Sequence, residues 1–148
     1  QPVASDLRQV STALKVVTDL ERIGDHASDI AELILRIKSE HAYHIVKHLP
    51  VMAASANAMV HDAIEAFINQ DLDSAMEIIE RDDEVDTLFN QVKDDVIHLL
   101  KSSPDQADQG IDLLMVAKYL ERIGDHAVNV CEWTQFSKTG ALKNVRIM

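Results

Sequence analysis

Glu21 and Asp25 stand four residues apart, so on a helix one carboxylate sits a turn above the other, and Asp29 continues the row. Glu121, Asp125 and Asn129 repeat the arrangement, with an amide in place of the last charge. Like charges at this spacing weaken a helix slightly, and a bound cation would remove the cost. A second row, Asp82 and Asp86, has the same spacing and falls in a stripe that otherwise runs through Ala75, Ile79 and Phe89. Acidic side chains in an apolar row need a counter-charge or a metal. Two helices that each offer a carboxylate pair would build an oxygen-rich site, suited by ligand type to Mn, Fe, Mg or Zn. Asp62 is a candidate for a further oxygen. The competing reading is structural: Arg22 and Arg122 lie three residues before Asp25 and Asp125 and could hold the acids in salt bridges.

The two acidic segments are copies. Residues 20–27 and 120–127 both read Leu-Glu-Arg-Ile-Gly-Asp-His-Ala, and Leu14, Val16 and Glu32 recur as Leu114, Val116 and Glu132. Eight identical residues mark an internal repeat. Gly24 and Gly124 sit mid-helix, where glycine costs ~1 kcal/mol relative to alanine, so something is expected to approach the backbone there. His26 and His126 lie off the carboxylate face. Glu40, His41, His44 and His48 are spaced for zinc only if their helix were continuous. No Ser–His–Asp or Cys–His set, phosphate loop or dinucleotide fingerprint is present, and no enzyme is predicted.

Helices must position these groups. Only 4 Gly and 3 Pro and an aromatic content of 4% argue against a sheet-rich fold. Apolar residues at 7, 10, 14 and 17, then 20, 23, 27, 30, 34 and 37, predict one long helix over residues 4–38. A break at 39–42 leads to a second helix over 43–69, with Val60, Ala63, Ile64, Phe67 and Ile68 inward and a kink or late start at Pro50. Asp71 is read as the N-cap of a third helix over 72–101, its apolar side formed by Met76, Ile79, Phe89, Val92 and Val96. A loop over 102–110 and a fourth helix over 111–136 follow, the latter burying Leu113, Val116, Leu120, Ile123, Ala127 and Val130. The fold class is all-α, a helical bundle.

A net charge of -11, from 25 acidic and 14 basic residues, disfavours nucleic acid and anionic lipid as partners. No run of ~20 apolar residues is available for direct membrane insertion, and a cytoplasmic setting is expected. The lone Cys131 reads as a small buried hydrophobe.

With these features together, the sequence resembles the PhoU family, regulators of bacterial phosphate uptake. The matching stretches are residues 1–8, 18–27, 81–86 and 120–127. The resemblance implies two three-helix bundles with acidic-x-x-x-Asp metal motifs, which map here onto Glu21 and Asp25, Asp82 and Asp86, and Glu121 and Asp125. It also implies iron or zinc clusters, dimers, and control exerted through a phosphate ABC transporter ATPase and a phosphate sensor histidine kinase. On this mapping residues 1–40 are the last helix of a first repeat, 41–137 a complete second repeat, and 138–148 a tail. A family member carries two further helices ahead of Gln1, so either the sequence is a shortened form or the Glu21 copy finds its partner helices in another chain, and association as a homodimer or helix-exchanged oligomer is expected. A ferritin-like carboxylate metalloenzyme is the alternative, disfavoured because that class pairs Glu with His at i+3. A purely structural helical adaptor is the other.

Overall fold

A computed structural model describes the backbone of residues 2–140, and the loose tail expected past Gly140 lies outside those residues. All regular structure among them is helical. α1 spans Pro2–Arg36, α2 Glu40–Ile45, α3 Leu49–Asn69, α4 Leu72–Ser102 and α5 Ala107–Thr139, with a single 3₁₀ turn at Pro104–Gln106.

The helix ends follow local chemistry. Ser39 accepts a hydrogen bond from the Ala42 amide at 3.1 Å and caps α2, so the break expected over 39–42 is shorter than anticipated. The chain then pauses and α3 restarts at Leu49 with Pro50 in its first turn, where proline's missing N–H has no intrahelical partner to lose. Gln70 closes α3 in the left-handed region at φ 52°, and Asp71 accepts from the Ser74 amide at 3.1 Å to start α4. α5 begins at Ala107, four residues earlier than the periodicity suggested. Gly110 is not a loop glycine: a Cβ there would come within 3.1 Å of Leu99, so it permits close crossing of α4 and α5.

α3, α4 and α5 pack against one another around a core that includes Met52, Met59, Val85, Val92, Leu99, Leu113 and Val130. α1 lies antiparallel along α5: Arg8 donates to the Ser137 carbonyl at 3.3 Å near one end, and Arg36 pairs with Asp112 at 2.9 Å near the other. With neighbours on several sides, α5 is buried without interruption from His126 to Glu132. All six of its predicted inward residues are buried, and so is Cys131, whose thiol is pushed up to about 12 by burial.

Three expected faces are displaced. Ile68 is exposed, Met76 is exposed, and α4 buries Ala75, Ile78, Asp82 and Val85 instead of Met76. The apolar residues of α1 do not form one inward stripe: its buried residues are Val16 with the polar Thr12 and Asp19, while Leu7, Val10, Leu14 and Val17 face outward. No described helix is long and apolar enough to cross a membrane.

Candidate metal face and interhelical cleft

The acidic motifs meet two different surroundings. Asp82 is 5% exposed and lies over the α5 backbone, where a Cβ on Gly124 would sit 3.4 Å from its Oδ1 and 3.6 Å from a Val85 methyl. Asp125 is half-buried, whereas Asp86, one turn beyond Asp82, is exposed at the edge of the seam. Glu121 is half-buried and turned to Lys118, whose ammonium stands 2.7 Å from Oε1 and also lies over the Phe89 ring. In the first copy, Glu21 and Asp25 are both exposed and, among the described residues, nothing comes within 4 Å of a Cβ built on Gly24.

Four carboxylates from α4 and α5 therefore border one seam, and an all-oxygen donor set suits a hard or borderline cation. Their geometry is looser than their chemistry: among the described residues, no three ligand atoms of this face lie within 4.8 Å of one another. An ion would have to draw Glu121 away from Lys118. The trio that does converge is His61, Asp62 and Glu65 on α3. There Asp62 bonds the Arg81 guanidinium at 2.7 Å, which holds its carboxyl below the usual range, so Asp62 serves an ion pair rather than the Asp82 row. The four-residue set near Glu40 is dispersed as well: α2 stops at Ile45, His41 bonds Ser103, and His48 bonds Asp95 at 2.7 Å.

The arginines and histidines of the motif are elsewhere. Because α1 and α5 run antiparallel, the two identical octapeptides lie against each other. The His26 ring stacks 5.5 Å from Tyr119 and 5.6 Å from His126, and Asp19 Oδ1 is 2.9 Å from His126 Nδ1. Asp19 against His126 and His26 against Tyr119 are the same pair of positions with the copies exchanged, so the helices are related by an approximate two-fold. Beside this crossing is an open cleft of about 430 Å³ lined by Thr18, Asp19, Arg22, His26, Arg122 and His126. Burial, helped by the nearby His126 and Arg122 charges, lowers the pKa of His26. The sequence pattern signalled that the histidines leave the carboxylate face, but their meeting depends on the tertiary crossing.

The PhoU domain profile matches residues 1–34 and 49–134. The chain belongs to the PhoU family. A phosphate-specific transport system accessory protein PhoU homolog of Clostridium acetobutylicum is 42% identical over 138 residues, which are 93% of this chain and 63% of that protein. The homolog of Zymomonas mobilis is 36% identical, over 94% of this chain and 59% of its own length. The chain thus spans about three fifths of these two PhoU relatives. Crystal structures of PhoU from Pseudomonas aeruginosa and of the phosphate transport system regulatory protein PhoU from Streptococcus pneumoniae share the architecture. Their TM-scores are 0.84 and 0.82 at 32% and 30% identity, each over 95% of this chain and over 68% and 67% of theirs.

Proposed function

We propose that this chain regulates phosphate uptake and phosphate signalling as a non-catalytic, cytoplasmic protein whose acidic helix faces hold metal and whose surface binds other proteins. The family relationship supports the regulatory part, since the similar proteins are named accessory or regulatory proteins of phosphate transport. The observation that supports the metal part is the buried Asp82 carboxylate, which lies over the backbone at Gly124 beside Asp125, because an acidic side chain on an otherwise apolar face calls for a counter-charge or a metal. Asp82, Asp86, Glu121 and Asp125 would hold the ion, with iron or zinc favoured and manganese or magnesium also compatible with oxygen donors. Glu21 and Asp25 would form the corresponding site once a helix covers them.

A transporter ATPase and a sensor histidine kinase are the partners proposed, and the exposed α1 stripe is proposed to pair in a homodimer or helix-exchanged oligomer. Residues 41–137 would act as one repeat and 1–40 as the last helix of another. Elemental analysis of protein purified without chelator should find metal, and the paired substitutions Asp82→Ala and Glu121→Ala should remove most of it. Background metal in the unaltered chain would defeat the metal part. Affinity capture with the purified ATPase and kinase tests the other part, and binding to neither would defeat it.

A further inference from the structure

A metal at the acidic rows gives a reason for the glutamate, glycine and aspartate of the repeated octapeptide, but not for its arginine and histidine. Those residues start one position later, ~100° around the helix, and leave the carboxylate seam altogether. In both copies they share a face, four residues apart, as Arg22 with His26 and Arg122 with His126. The antiparallel crossing of α1 and α5 then gathers both Arg–His pairs into one cleft. We infer that this cleft is a binding site for a tetrahedral oxyanion of the phosphate class.

Its charge supports an anion. The chain as a whole carries -11, yet neither Arg22 nor Arg122 has a carboxylate within ion-pair distance among the described residues. The acid in the cleft, Asp19, is already engaged: it is 2.9 Å from His126 Nδ1, within the cleft, and accepts from Asn129 Nδ2 at 3.2 Å. An ionised carboxylate only accepts, so His126 carries a proton on Nδ1 and is held in one orientation. Arg122 lies over the Tyr119 ring, 5.6 Å from its centre, which restrains the guanidinium. Thr18 donates its hydroxyl proton to the Leu14 carbonyl at 3.1 Å and forms a neutral rim. Two guanidinium groups lining one cleft, one from each helix, suit the oxygens of a phosphate-type anion, where a lysine pair would offer only point charges.

The anion has two chemical sources, free phosphate or a phosphoryl group carried on a larger molecule, and the open cleft admits either. Calorimetric titration at fixed ionic strength with inorganic phosphate and, separately, phenyl phosphate distinguishes them. Saturable binding of both points to a phosphorylated molecule, and binding of inorganic phosphate alone points to the free ion; either supports the site. Arg22→Gln or Arg122→Gln should each weaken binding about tenfold or more, as expected for loss of a charge-assisted pair. Arg122→Lys should retain part of it. Both arginines are exposed, so helicity and metal content should not change in these variants. No saturable uptake of either probe at millimolar concentration, or uptake unaltered by both glutamine substitutions, would overturn the inference. Metal content and capture of the ATPase or kinase are separate readouts, so regulation and anion binding can fail independently.

Discussion

Gly24 and Gly124 are the same residue in the same motif with different work to do. Beside Gly124, Asp82 and Val85 stand at contact distance, whereas the space around Gly24 is open. Alanine at position 24 should therefore collect the full helix-propensity gain of ~1 kcal/mol. Alanine at position 124 should gain less, because its methyl group presses on the polar oxygen of a buried aspartate. Urea unfolding of G24A and G124A tests this, and a G124A variant as stabilised as G24A would contradict it. The mid-helix glycines were visible in the sequence as an unfavourable choice made twice. Which copy uses that choice was not visible, because a chain pattern carries no information about what lies across a seam.

At the level of elements, α5 is the helix that fixes everything else. Its six inward positions were legible from the apolar period, since leucine, valine and isoleucine at three- and four-residue steps can face only one side. Its polar positions were not, because His126, Asn129, Glu132 and Thr134 are buried only where a further helix covers them. Leu113→Ala should cost ~2–5 kcal/mol, as for a large side chain lost from a closed core. Ile111→Ala, two residues earlier on an exposed face, should stay within ~0.5 kcal/mol of the parent. Denaturant midpoints of the two variants provide the comparison, and equal losses would mean that the N-terminal part of α5 is not packed as described. α4 teaches the complementary lesson. Met76 and Ala75 both continue an apolar row within one residue, and only contact with α3 and α5 selects Ala75.

For the whole molecule, the outward stripe of α1 is an extended apolar feature exposed among the described residues. Val3, Leu7, Val10, Leu14 and Val17 alternate in steps of four and three, the spacing of a coiled-coil seam, and Leu7 and Leu14 are each 65% exposed. The chain should self-associate, and Leu7→Glu combined with Leu14→Glu should shift it to monomer in sedimentation equilibrium while leaving the α3–α5 unfolding transition in place. A parent chain monomeric at high concentration would remove the proposed dimer. The sequence by itself determined the all-helical class, most helix boundaries, the repeat and the paired carboxylates, because periodicity, capping residues and i,i+4 spacing are local properties. Tertiary structure alone decided that Asp82 is buried while Asp86 is exposed, that Glu121 leans on Lys118, and that the arginines and histidines of both motif copies meet in one cleft. Those outcomes depend on which helix lies across each face, and the antiparallel contact of α1 with α5 joins residues from 76 to 129 positions apart in the chain. The acidic rows with which the motif was first read are one half of its chemistry, and the crossing of the two copies brings the other half together.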